Sequence, residues 1–487
     1  MEAKTDQHSG QEGILATAAR ANITKEKLDA IYEEVQSIYL SDQRPWVLGY
    51  SGGKDSTATL QVVWCAIERL PKEQRLKQVY VLSSDTLVET PPIINHVKTS
   101  LQRINKAAQA NEMPFEAHKV MPQIQDSFWV NLIGRGYPAP SKAFRWCTER
   151  MKIDPTNRFV LDKVAEYGEV VVILGARKQE SASRAQVLKN HKMTGSRLNS
   201  HTSLPKAYVY TPIEEFSLDD VWSYLLTVSS PWGNDNKELV NLYLSAQAGE
   251  CPLVIDTTTP SCGSSRFGCW VCTVVTKDKA IESLIDNGEE WMEPMLELRD
   301  WLAETQDPQR KREFRDYKRR DGKVMLDRSK QKLVPGPYYL KIRKQILRQL
   351  LEAQKLVREN GPNPEETLIE TEELHEIRRL WRMEEQDWED SVPQIYRDVT
   401  GEDIDWLQDD AGAFTPQDMA VLQHICEDQE VPVELVSKLL DLELELSGMG
   451  RRTSIYNRID QLFKREWKSE DEAMERAMAK QKRKGEE

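Results

Sequence analysis

Cysteine is scarce in this chain: seven among 487 residues. That excludes a disulfide-stapled secreted scaffold, which needs cysteine at far higher density. No stretch approaches the roughly 20 consecutive apolar residues that cross a bilayer. The opening MEAKTDQHSGQEG has no apolar run behind a basic start, so neither a membrane partner nor a secretory leader is expected, and a cytoplasmic location is. No internal repeat is visible, which excludes solenoids and propellers. What is present, 39% hydrophobic and 30% charged residues, suffices for one α/β core and a further module.

Charge is unevenly placed. The net charge is −13, yet residues 310–348 hold fifteen Lys/Arg against four Asp/Glu, and residues 361–410 hold seventeen Asp/Glu against four Arg. This asymmetry predicts separate faces for separate partners. The basic stretch carries Phe314, Tyr317, Tyr338 and Tyr339 among its cations. It reads either as a surface tracking phosphates and stacking on bases, or as a solvated helix paired with the acidic stretch.

Periodicity divides the chain. Lys25–Tyr39 reads as an amphipathic helix in an N-terminal segment, 1–45. From 46 to 230, short apolar runs (WVLGY, QVYVL, EVVVILG, AYVY) alternate with helical patterns at Leu60–Leu70 and Ile93–Ala108. That predicts a doubly wound, mostly parallel sheet. Ser217 and Asp220 fit a capping pattern for the helix that follows. Residues 231–280 form a cysteine-rich loop, and 281–487 read as a charged helical region for DNA or protein partners, with breaks at Pro335-Gly336-Pro337 and at 361–364.

Two motifs carry chemistry. Ser51-Gly52-Gly53-Lys54-Asp55-Ser56-Thr57 lies between an apolar strand and a helix. Its glycines let backbone N–H groups face an anion, Ser51, Ser56 and Thr57 add hydroxyls, and Lys54 adds a charge. The spacing is not that of Walker A. The second motif, Cys262-x6-Cys269-x2-Cys272, has thiolate spacing suited to an iron–sulfur cluster or to zinc.

The SGGKDST run resembles the PP-loop of adenine-nucleotide α-hydrolases, the fold group of ATP pyrophosphatases and phosphoadenylyl-sulfate reductases. Further pieces follow in that family's order: Ser84-Asp85-Thr86 with Glu89-Thr90, then Arg145-Trp146-Cys147-Thr148-Glu149-Arg150-Met151-Lys152, then Gly175-Ala176-Arg177 through Glu180-Ser181 and Arg184, then Thr211-Pro212-Ile213. The resemblance implies ATP cleavage between the α and β phosphates, with Lys54, Asp55 and Arg177 catalytic. Ser51 to Thr57, Ser84, Asp85, Thr86, Gly175, Arg177 and Arg184 would hold the nucleotide. Arg177 and Arg184 supply forked donors for pyrophosphate or an acidic substrate. Asp55 and Asp85 suit Mg²⁺, Asp85 reading equally as a turn residue. The resemblance also implies Cys147 as fourth thiolate, giving Cys147, Cys262, Cys269 and Cys272 around a [4Fe–4S] cluster. Cys251 is left as a sulfur carrier, as a substitute for Cys147, or as a structural residue.

The chain has neither the tandem Cys-Cys nor the cysteine-bearing tail of the reductases. From GECPLVIDTTTPSCGSSRFGCWVCTVV onward it resembles the DndC-type sulfurtransferases of bacterial DNA phosphorothioation, with single-strand-modifying SspD-type enzymes next. That resemblance implies an ATP-dependent enzyme that adenylylates a DNA backbone phosphate and replaces a non-bridging oxygen with sulfur. Its partners would be DNA, a cysteine desulfurase as donor and other phosphorothioation proteins. RNA thiolation, sulfonucleotide reduction and a non-catalytic DNA-binding component with a structural cluster are the other readings.

Overall fold

The computed structural model describes residues 23–180, 197–201, 203–245, 268–327, 332–406, 415–429, 431–446, 455–465 and 470–485. Six strands form one sheet: β1 (Trp46–Gly49), β2 (Val79–Ser84), β3 (Phe115–Val120), β4 (Val170–Ile173), β5 (Asn199–Ser200) and β6 (Ala207–Tyr210), in the order β3-β2-β1-β4-β6-β5. All pairs are parallel except β5 with β6. This is the expected doubly wound, mostly parallel α/β architecture. The chain winds outward from β1 through β2 to β3, then returns to β4 on the other side of β1. The direction of winding therefore reverses between β1 and β4, where open α/β sheets form a crevice at their carboxyl ends.

The central strands are continuous apolar runs because helices cover both faces. β1 and β4 are buried almost throughout. Helix α1 (Lys25–Leu40) packs on α2 (Lys54–Glu68), the Gln36 amide donating to the Ala66 carbonyl at 2.8 Å. Trp64 of α2 stacks on Phe115 of β3, ring centroids 4.5 Å apart, and meets Trp232 edge-on. Helices α3 (Pro91–Ala110) and α4 (Asp154–Tyr167) complete the crossovers. They are followed by α5 (Leu218–Thr227), α6 (Asn236–Ser245) and α7 (Lys279–Asp286). The expected capping box of α5 is formed, Ser217 and Asp220 each binding the other's backbone N–H.

The chain divides into two compact units, one of residues 1–123 and 145–296, the other of 124–144 and 297–487. Residues 124–144 lie within the span 46–230 expected for the sheet domain, yet they group with the helical half. The reason is visible in their backbone. The π-helical turn Val130–Gly134 is buried against α8 (Leu340–Asn360) and α9 (Thr371–Glu384). Trp381 donates its indole N–H to the Ile133 carbonyl at 2.9 Å, Arg343 donates to the Gly134 carbonyl at 2.9 Å, and Trp129 donates to the Leu368 carbonyl at 2.7 Å. Carbonyls at an irregular turn need such donors once buried.

The expected segregation of charge is not found. Four of the fifteen cations of the basic stretch pair with the acidic one: Arg320 with Glu384 at 3.3 Å, Arg343 with Glu385 at 2.9 Å, Lys344 with Asp387 at 3.0 Å, and Arg348 with Asp398 at 3.0 Å on α10 (Ser391–Thr400). Nor are all its aromatics available for stacking on bases. Tyr338 is fully buried, accepting from the Ala139 N–H, and Phe314 is buried against Trp301. No helix among the described residues is long and apolar enough to cross a membrane.

Two measurements test this helical unit. Trp381→Ala removes a wholly buried indole and an intersegment hydrogen bond, and is expected to lower stability by about 3–5 kcal/mol in urea unfolding. Glu373 is buried at the start of α9, and burial pushes its carboxyl up to about 7 from 4.5, against opposing hydrogen bonds from Ser127 and from the Glu370 backbone. The folded state thus keeps a proton that the unfolded chain releases above about pH 4.5. Stability is lost as pH rises from there to about 7. Glu373→Gln is expected to raise the melting temperature at pH 8 and leave it unchanged at pH 4.

Candidate functional site

The phosphate-type loop follows β1 at the carboxyl edge of the sheet. Gly52 has φ +72°, and a Cβ there would meet Val97 of α3 at 2.8 Å, so only glycine fits. The Ser56 hydroxyl donates to the Gly53 carbonyl at 2.9 Å and accepts from the Ser51 N–H at 3.2 Å, which pins the loop across the first turn of α2. Gly53 caps α2 without a side chain. The helix thus presents its first-turn N–H groups, the arrangement that receives an anion. His96 of α3 hydrogen-bonds the Gly52 backbone, and burial holds its imidazole below the ordinary range. Tyr243 of α6 places its hydroxyl 3.2 Å from the Lys54 N–H.

Asp55 joins this loop to the one after β4. One carboxylate oxygen accepts from Arg177 Nε at 2.6 Å and the other from Lys54 Nζ at 3.1 Å. The Arg177 side chain is only 6% exposed. Gly175 makes the approach possible: a Cβ there would lie 2.9 Å from the Asp55 carbonyl and from Thr59 Oγ1. Asp55 therefore organises two cations. Asp85 is also engaged, accepting from Lys119 at 2.9 Å and from the Leu87 N–H at 2.9 Å, the turn role the sequence allowed. Among the described residues no set of three or more His, Cys, Asp or Glu is arranged to hold a metal ion.

The thiols gather beyond β2. Cys269 forms an antiparallel bridge with Glu89, and the Trp270 N–H donates to the Val88 carbonyl at 2.9 Å. The Cys269 thiol lies 3.4 Å from the Thr86 hydroxyl. Burial pushes the Cys269 thiol up to about 11, Lys152 opposing and Glu89 and Cys147 adding to the rise. Cys147, just before α4, is raised by burial and by Cys272. Lys152 is raised chiefly by Cys269, and then by Glu89, Cys147 and Cys272. Glu89 is raised by burial against the pull of Lys152, whose ammonium is 3.9 Å away. Three half-buried thiols thus share one electrostatic environment with a single ammonium. Thiolates are the ligand type for a soft metal or an iron–sulfur cluster, although these three are not arranged as a metal-holding set among the described residues. Cys262, Cys251, Ser181 and Arg184 lie outside the described residues.

The structure therefore joins Lys54, Asp55, Gly175 and Arg177 in one site. It places Thr86 beside Cys269 at the same sheet edge, β1 and β2 being parallel neighbours in register, and Cys147 and Cys272 bear electrostatically on the same Lys152. Sequence reading missed His96 and Tyr243, which no local pattern marks because each reaches the loop from a distant helix. A double-mutant cycle of Asp55→Ala with Arg177→Met, followed by urea unfolding, is expected to return a coupling of about 1–3 kcal/mol. No coupling would remove the pair as the anchor between the two loops.

Residues 45–275 match the phosphoadenosine phosphosulfate reductase domain family. Residues 417–464 match a family described as a small protein found in certain Dnd DNA modification systems. An uncharacterized protein of Methanocaldococcus jannaschii is 26% identical over 201 residues, 41% of this chain and 35% of that protein. The chain thus spans about a third of the length of the curated relative it matches. Among solved structures, the FMN adenylyltransferase of Candida glabrata is similar at a TM-score of 0.25 and 11% identity, over 46% of this chain and 66% of that one. The tRNA thiolase NcsA of Methanococcus maripaludis, solved with its [4Fe–4S] cluster, is similar at 0.27 and 12%, over 47% and 75%. Residues 45–275 thus carry a phosphoadenosine phosphosulfate reductase domain, and a segment of the kind found in certain Dnd DNA modification systems follows it.

Proposed function

We propose that the chain is an ATP-dependent sulfur-transfer enzyme whose acceptor is a DNA backbone phosphate. The observation that carries the reading is one sheet edge that holds both an anion-receiving loop, anchored by Asp55 between Lys54 and Arg177, and a group of thiols at Cys147, Cys269 and Cys272. Activation of an oxygen and its replacement by sulfur need these two parts. The domain match supports the nucleotide chemistry, and the Dnd-system match supports DNA as acceptor and other Dnd proteins as partners. The basic stretch 310–348 does not carry this reading, because eight of its fifteen cations pair with carboxylates of the chain itself.

In this reading ATP lies with its phosphates on the first turn of α2. Ser51, Ser56 and the loop N–H groups hold them, and Lys54 and Arg177 balance the charge that develops as pyrophosphate leaves. A non-bridging oxygen of the DNA phosphodiester attacks the α-phosphorus, and that oxygen departs with AMP when sulfur takes its place. The sulfur arrives as a persulfide from a cysteine desulfurase, and Cys251 is the candidate to receive it; the outer sulfur forms the P–S bond as AMP leaves, and a thiol reductant then cleaves the remaining S–S bond, releasing the DNA phosphorothioate and leaving a disulfide. A [4Fe–4S] cluster held by Cys147, Cys262, Cys269 and Cys272 would supply a sulfur-binding redox centre. The Lys152 ammonium and the Thr86 hydroxyl would offset negative charge on those thiolates.

The test is anaerobic purification, assay of iron and sulfide, and measurement of pyrophosphate release from ATP with and without DNA. Wild type is expected to release pyrophosphate, faster with DNA. Asp55→Ala is expected to lose at least tenfold in rate, and Cys269→Ser to lose iron. Orthophosphate as the only product would end the α–β cleavage reading, and indifference to DNA would end the choice of acceptor.

A further inference from the structure

Tyr243 stands over the first turn of α2. Its hydroxyl is 3.2 Å from the Lys54 N–H, the first donor of α2. A Cβ placed on Gly53 would lie 3.1 Å from the same hydroxyl, so the phenol sits directly over the glycine that leaves the loop open. The ring faces the Lys54 ammonium at 5.3 Å and meets Trp222 of α5 edge-on, centroids 5.2 Å apart. The side chain is thus held from two sides and packed against the core.

An N–H at a helix start that has no intrahelical partner takes one oxygen along its bond direction, at 2.7–3.2 Å. A phosphate oxygen on the Lys54 N–H and the Tyr243 hydroxyl would occupy the same volume. We infer that Tyr243 is a placeholder residue: its hydroxyl satisfies the phosphate loop while that loop is empty, and nucleotide phosphate displaces it. The inference rests on the nucleotide reading of the loop given above. It adds a residue that neither motif contains, on α6, far from the loop in sequence. Displacement of the ring also releases the Lys54 ammonium from the aromatic face toward the arriving phosphate. The cost of breaking the hydroxyl contact is charged against nucleotide affinity, so the loop is kept in shape at the expense of tightness.

The experiment uses the full chain and α,β-methylene ATP, which binds without cleavage, titrated calorimetrically. Tyr243→Phe keeps the ring, its contact with Trp222 and its face toward Lys54, and removes only the competing oxygen. Its affinity for the analogue is expected to rise about 2- to 13-fold, the net worth of one hydrogen bond. Equal or weaker binding by Tyr243→Phe would overturn the inference, weaker binding meaning that the hydroxyl contacts the phosphate instead of yielding to it. A fluorinated tyrosine placed at position 243 alone gives a second readout. Its ¹⁹F resonance is expected to shift on saturation with the analogue, and a resonance that stays put would also overturn the inference. If wild type binds no analogue at all, the nucleotide reading fails and the inference falls with it. If wild type binds and Tyr243→Phe binds equally, the inference alone fails.

Discussion

The contact on which the site depends is the carboxylate of Asp55, shared between Lys54 and Arg177. Its two cations arise from loops that follow different strands, β1 and β4, at the point where the direction of winding reverses. An arginine as buried as Arg177 needs a counter-charge, and Asp55 supplies it from the first turn of α2, where an acidic side chain is also favoured by the helix dipole. The close approach has a steric condition, a hydrogen atom in place of a side chain at Gly175. Backbone shape at one residue thus decides whether the electrostatic pair two residues later can form.

The thiol group follows a different logic. Cys272 helps to raise Cys147, and Cys147 helps to raise Cys269, so thiolates here are poor neighbours in a half-buried setting, and the thiols of Cys147, Cys269 and Cys272 all act on Lys152. A cluster or metal that bound them would remove that mutual repulsion. The Cys269 strand-like contact with Val88 and Glu89 fixes the cysteine segment to the loop after β2 through the backbone, so its position does not depend on the charge state of the thiols.

The legible parts of the sequence were those written in local pattern. The apolar runs of β1, β2, β4 and β6 could be read because both faces of a parallel sheet are covered. β3, Phe115-Glu116-Ala117-His118-Lys119-Val120, was not anticipated, since an edge strand keeps polar residues on its outer positions and breaks the apolar run. The loop residues 51–57 could be named from their own composition and position, and Gly175-Ala176-Arg177 only through the family resemblance. Their pairing through Asp55 could not, because the sequence reading gave that carboxylate to Mg²⁺. His96 and Tyr243 were invisible for the reason that makes them interesting: they act on the loop only through tertiary packing. The grouping of 124–144 with the helical half was equally hidden, its evidence being indole and guanidinium donors, Trp129, Trp381 and Arg343, that meet backbone carbonyls.

Charge gives the last step. A protein that takes DNA as acceptor needs cations along the phosphates, and the affinity of such contacts scales with the number of phosphates neutralised. The densest basic stretch here is spent on internal partners: Arg320, Arg343, Lys344 and Arg348 on the acidic stretch, Arg310, Arg312, Lys318 and Lys323 on other carboxylates. Arg315 and Arg319 donate to the backbone carbonyls of Pro335 and Gly336. Exposed pairs of this kind stabilise by only ~0–1 kcal/mol each, so a phosphate backbone competes with them on nearly equal terms. It must then repel the carboxylates it displaces, and in a chain of net charge −13 that repulsion is not local. On the proposed reading, DNA phosphates would therefore have to compete with the chain's own carboxylates for eight of the fifteen cations of this stretch.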